Sequence, residues 1–164
     1  MTGGTIDSFY DATKDTVIPS PHSVIPSFLK SLKTYNNFSF HEVCMKDSRS
    51  INNGDLKKVL NIINKSSSKY FLMTHGTYTM PDNARFLEER LNIKNKIVIL
   101  TGSMIPIVGF SPSDAPFNLG YAIASFRTLD PGVYVCMNGK IFTPKEVIKR
   151  LAEGRFVSVF NKNK

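Results

Sequence analysis

The chain has 164 residues, 41% hydrophobic and 21% charged, with a formal net charge of +8. That length supports one domain with its own core, and the balance excludes a disordered chain. No apolar run approaches the roughly 18 residues of a membrane helix, and the positive charge comes without a helix-turn-helix, RNP motif or zinc finger, so nucleic-acid binding rests on charge alone.

The chain opens on Thr2-Gly3-Gly4-Thr5-Ile6. Paired glycines let a ligand approach the backbone closely, and the flanking hydroxyls can bind or attack it. The segment does not match GxGxxG and no strand precedes it, which argues against a dinucleotide site. The start, MTGGTIDS, has no basic region followed by an apolar stretch and does not read as a signal peptide. Ile25, Phe28, Leu29 and Leu32 mark one helix face, with Ser23 as its N-cap. Lys46-Asp47-Ser48 reads as the polar end of a strand, and Leu56, Val59, Leu60 and Ile63 mark a second helix.

Continuous apolar runs follow at 70–73, 97–100 and 133–137, the pattern of parallel strands buried on both faces. Thr74-His75-Gly76-Thr77-Tyr78-Thr79-Met80 follows the first run, and Thr101-Gly102-Ser103 the second. With no metal-type partner spaced near it, His75 reads as a hydrogen-bonded structural histidine. Asp82 and Asp114 are read as caps of further helices, the latter with Leu119, Ala122, Ile123 and Phe126 as its face. Asn138-Gly139 signals a type I′ turn that folds 140–142 back as a short strand. Thr143-Pro144-Lys145-Glu146 reads as a capping box with proline at N1, predicting a last helix that ends near Gly154.

This alternation predicts an α/β fold: a three-layer, doubly wound (Rossmann-like), mostly parallel sheet in a single domain over 1–156, followed by a basic tail over 157–164. Ligands of such sheets sit beyond the carboxyl ends of the strands. The three hydroxyl-rich loops should therefore converge on one rim. Cys44 and Cys136 form no CxxC or Cys/His cluster and read as reduced core thiols of a cytoplasmic protein.

Six segments occur in a characteristic order: TGGTI, KDS, THGTxTM, LTGSMIP, SDAPFNL and GVYVCMNG. Together they resemble the L-asparaginase/glutaminase family from Thr2 to about Phe156, closest to short, single-domain asparaginase-like proteins. The resemblance implies a small amide substrate, cleaved through an acyl-threonine, without metal or cofactor. By matching motif positions, it implies Thr5 as nucleophile, with Thr77 and Lys149 as its activating pair. It implies Ser48 as the group that binds the substrate carboxylate, helped by loop backbone, with Gly4 and Asp47 also among the substrate-binding residues. Ser103 and Tyr78 match further positions lining the pocket. Chemically, a lysine of lowered pKa can draw a proton through Thr77 from Thr5, and backbone N–H groups near Gly4 and Thr77 can hold the oxyanion.

The chain departs from the family pattern at three points. The THGTD of the family reads Thr77-Tyr78 here, so a neutral phenol replaces the carboxylate that meets the substrate amino group. The lid tyrosine has no clear equivalent, with Tyr10 a candidate by composition only. Family members place a strand before TGGTI, where only Met1 stands, so either the native start lies upstream or the sheet is one strand short. The expected protein is an asparaginase-like amidohydrolase with weak or absent asparagine turnover, at least homodimeric, that prefers a small amide or carboxylate without a free amino group. The alternative is a catalytically silent domain that binds such a ligand.

Overall fold

The computed structural model describes residues 1–160. At its centre, β3 (Tyr70–Thr74), β4 (Ile97–Thr101) and β5 (Gly132–Met137) are adjacent and parallel. β6 (Lys140–Phe142) folds back antiparallel on β5, through a turn in which Asn138 and Gly139 both have positive φ. All five residues of β4 are buried, as a strand covered on both faces requires.

The period-2 geometry of the strands sorts side chains onto two faces. Met73, Val98, Leu100, Val133 and Val135 meet α2 (Asn53–Lys65) and α3 (Met80–Arg90). On the other face, Leu72, Ile97, Ile99 and Cys136 lie among the residues of α1 (Ile25–Ser31) and α4 (Ala115–Ser125). Helices therefore cover both sides of the sheet, as the alternation predicted.

The first residues extend the sheet beyond β3. Thr2 N donates to Thr74 O, while Met1 and Thr2 accept from Val43 N and Lys46 N on their other side. A parallel bridge joins Gly3 to Lys46. Seen across the sheet, the chain starts in the middle, steps outward to 43–46, then returns to the opposite side for β3, β4 and β5. This reversal is a topological switch point, and it lies between Gly4 and the end of β3. Along the rest of β3, this edge faces an apolar cavity of about 410 Å³ lined by Met1, Leu29, Phe40, Val43 and Phe71.

Several local expectations change. The strand expected before Lys46 is irregular extended chain with a single bridge, because residues 1–4 offer it only a short edge. The N-cap of α1 is Val24 rather than Ser23, whose hydroxyl accepts from Ile25 N at 3.3 Å. Thr79, not Asp82, caps α3, and Asp82 stands in its first turn. Asp114 is at the N-cap of α4, but its carboxylate is spent on a loop. A hairpin, β1 (Ser8–Asp11) with β2 (Thr16–Pro19), fills the region where a lid tyrosine was sought.

The largest correction concerns the final helix expected over 143–154. Half of the capping box forms: Thr143 N donates to Glu146 Oε1 at 2.7 Å, while Glu146 N donates to the Thr143 carbonyl rather than to its hydroxyl. It closes one turn only. Beyond it, β7 (Val147–Arg150) pairs antiparallel with β8 (Arg155–Ser158), joined by a tight turn that ends on Gly154 at φ 59°. Burial alternates with period 2 there: Val147 and Phe156 sink into the main core while Ile148 faces out. A helix would bring only one of those two side chains to the core. Val157 and Ser158 belong to β8, so the ladder runs past residue 156, and the end of the expected tail, 161–164, lies outside the described residues.

Candidate active site

Four loops meet at the switch point, and backbone packing locks them together. A Cβ on Gly4, whose φ is 83°, would lie 2.3 Å from Gly76 Cα. A Cβ on Gly76 would lie 2.7 Å from Ser48 Cβ. The glycines of the first and third motifs thus touch each other, with Ser48 against them, an approach no larger residue permits. Thr5 opens a 3-10 turn, Thr5–Asp7, directly after Gly4. The turn is held by Ser8 Oγ, which donates to Gly4 O at 2.9 Å. Buried Asp7 ties it to α1 by accepting from Val24 N and Ser23 Oγ, each at 2.9 Å.

A cleft of about 390 Å³ lies at this junction, lined by Gly4, Thr5, Ser8, Asp47 and Met104 among others. Three expected site residues, Gly4, Thr5 and Asp47, therefore share one cleft. Ser48, Thr77 and Ser103 are buried. The Ser48 main chain and hydroxyl engage Thr79, with Thr79 Oγ1 donating to Ser48 O at 3.0 Å. The Ser103 hydroxyl donates to Ile105 O at 2.6 Å, which folds the loop that forms the cleft wall.

Lys149 Nζ donates to Thr77 Oγ1 at 2.6 Å. The lysine comes from β7 rather than from a helix, and strand geometry explains its direction. Lys149 pairs with Phe156, and opposed residues of an antiparallel ladder point to the same side. Phe156 is buried in the core, so Lys149 also points inward. Partial burial lowers its pKa below the ordinary lysine value. Asn138 supports this hairpin by accepting from Phe156 N at 3.0 Å, while its own N–H donates to Asn118 Oδ1 on α4.

His75 is fully buried, with Nδ1 2.6 Å from Gly76 O and Nε2 2.8 Å from Asn83 Nδ2. Because a carbonyl only accepts, Nδ1 carries the proton and Nε2 accepts from the amide. Burial pushes its pKa down to about 4, so it stays neutral and structural, as read from the sequence.

Tyr78 is exposed, and the Arg49 guanidinium lies 5.6 Å from its ring centroid. Arg49 is also forked onto Asp47, by Nε at 3.0 Å and Nη2 at 3.1 Å. Sequence reasoning passed over Arg49 and Asn118, and it read Asp114 only as a helix cap. Asp114 accepts from Met104 N and Ile105 N, and Asn118 Nδ2 donates to Gly102 O. A carboxylate at an N-cap followed by an amide four residues on is the signal for this pair, because both then face the preceding loop.

A three-layer α/β domain with a threonine-bearing cleft at its switch point belongs to the doubly wound class of folds. The family profile described as "Asparaginase, N-terminal" matches residues 1–160, and the chain belongs to the asparaginase family. It is 31% identical over 159 residues to the glutaminase-asparaginase of Acinetobacter glutaminasificans, covering 90% of this chain and 47% of that protein. It is 32% identical over 157 residues to L-asparaginase 2 of Escherichia coli K12, covering 90% and 44%. The crystal structure of a probable cytoplasmic L-asparaginase from Campylobacter jejuni superposes with a TM-score of 0.79 at 29% identity, over 96% of this chain and 51% of that one. The chain thus spans about half the length of the curated relatives it matches.

Proposed function

We propose that this chain is an asparaginase-type amidohydrolase acting on a small amide through Thr5. Thr5 Oγ attacks the amide carbonyl carbon, and the C–N bond breaks as the leaving nitrogen takes a proton and departs as ammonia. Water then hydrolyses the acyl-threonine, giving a carboxylate and regenerating the hydroxyl. In its unprotonated form Lys149 draws a proton through Thr77, and backbone N–H groups of the Gly4 and Thr77 loops stabilise the oxyanion. Ser48 receives the substrate carboxylate, and Ser103 shapes the wall. The observation that carries this reading is the 2.6 Å contact between Lys149 and Thr77. It joins a desolvated amine to a buried hydroxyl beside the loop that packs on Gly4.

The protein is further proposed to be cytoplasmic, supported by two free cysteines, and to work as a homo-oligomer. Among the described residues no helix is long and apolar enough to cross a membrane. The second reading, a silent domain that binds a small amide, is favoured by Tyr78 in place of a carboxylate. Coupled ammonia assays on asparagine, glutamine and succinamate decide between them. Release that falls by at least about a thousandfold in Thr5→Ala supports the enzyme. Absence of release with all three, or release that is unchanged in Thr5→Ala, overturns it.

A further inference from the structure

We infer that Arg49 is the specificity-determining residue of this cleft, and that the amide it selects is a monoamide of a dicarboxylic acid without an α-ammonium group. The inference rests on the amidohydrolase reading for the reaction, but its argument concerns recognition. Asp47 lines the cleft beside Gly4 and Thr5. Alone, that carboxylate would make the cleft rim attractive to an ammonium group. It is not alone: Arg49 grips both of its oxygens, and the Arg49 backbone N–H adds a third bond at 2.8 Å. These contacts hold the Asp47 pKa below the usual carboxylate range, so the pair persists through neutral pH.

The fork commits Nε and Nη2 and leaves the Nη1 group of Arg49 unused by any described side chain. The guanidinium lies over the Tyr78 ring, in cation–π range. Thr79 Oγ1, bonded to Ser48 O, ties the loop of the arginine to the loop of the tyrosine. Through Asp47, the rim is tied to a positioned planar cation whose remaining donors suit a carboxylate. A substrate ammonium would meet that cation with no free carboxylate to offset it. A ligand such as succinamate places its carboxylate toward Ser48 and Arg49 and brings no positive charge.

Calorimetric binding to the Thr5→Ala protein tests recognition apart from chemistry. Succinamate is expected to bind at least about tenfold more tightly than asparagine, with a further Arg49→Met change weakening succinamate about tenfold or more and erasing the preference. Arg49→Lys should restore part of the affinity, because charge survives while the fork does not. Equal or tighter asparagine binding, an Arg49→Met change without effect on succinamate, or no binding of either ligand overturns the inference. Failure of the amidohydrolase reading shows separately, as no ammonia release from the unmodified protein even where succinamate binds in an Arg49-dependent way.

Discussion

A lysine amine cannot accept a proton while it carries one, and Lys149 is held where its charged form is less favoured than in water. If it is the base behind Thr77, kcat/KM should rise with pH to a plateau whose midpoint lies below the ordinary lysine value of about 10.4. Lys149→Met should cost on the order of 10²–10⁴ in rate and remove that limb. A profile in the variant that keeps the same limb would show that another group titrates. Tyr78 sets a second residue-scale expectation. A phenol supplies no countercharge for an amino group, so Tyr78→Asp should raise asparagine hydrolysis by about one to two decades. Arg49 stands beside that ring and would compete for the new carboxylate. The gain should therefore be larger when Arg49→Met accompanies Tyr78→Asp, a non-additive result that steady-state kinetics on the four proteins of the cycle reads directly.

At the scale of elements, the loop carrying Thr77 depends on a neutral buried imidazole. His75 has a folded pKa of about 4 against an unfolded value near 6.5, so below pH 6.5 the unfolded chain binds the extra proton. Stability therefore falls as pH drops through that window, by about 2 kcal/mol between pH 7 and pH 5. Buried Asp7, with its pKa raised, acts in the opposite direction at lower pH. Urea unfolding at the two pH values measures the net change, and NMR titration of His75 isolates its share. A His75 resonance that titrates near 6.5 in the folded protein would overturn the account.

The same element scale shows what the sequence could and could not disclose. The strands at 70–73, 97–100 and 133–137 were legible because no polar residue interrupts them, although only β4 is buried along its whole length and β3 buries only its last two residues. The ending was not. Thr143 and Glu146 close one turn with half of the box, and what stops the helix is tertiary: Val147 and Phe156 both find the core only if the chain turns back on itself at Gly154. The Lys149 contact with Thr77 was expected from motif order while its element was misread, because the resemblance fixes which residue meets the loop and says nothing of the backbone that delivers it. Arg49 was missed because its partners, Asp47 and Tyr78, are 2 and 29 positions away, and only the second pairing makes the first informative.

For the whole molecule, the outer face of α4 raises the question of assembly. From Ala115 to Ser125 the helix carries no charged residue. Its inner side is in the core, yet Phe117 is 59% exposed and Tyr121 36%, their rings 6.1 Å apart. A surface helix normally sets charge opposite its buried stripe, and one apolar on all sides is normally covered. Exposed Ile105, bonded through its N–H to Asp114 at the start of α4, joins this face to the wall of the cleft. A second copy seated there would also narrow an open cleft whose electrostatics depend on excluding water. The net charge of +8 makes two copies repel, so their association should strengthen as salt screens that repulsion while apolar contact persists. Light scattering is expected to give at least twice the 18.4 kDa chain mass at micromolar concentration and moderate salt. Tyr121→Asp should return the chain to a monomer with unchanged circular dichroism and, if the cleft is covered in the dimer, lower kcat. A monomer throughout the salt range, or a dimer indifferent to Tyr121→Asp, would place the functional unit in a single chain and leave the cleft open to solvent.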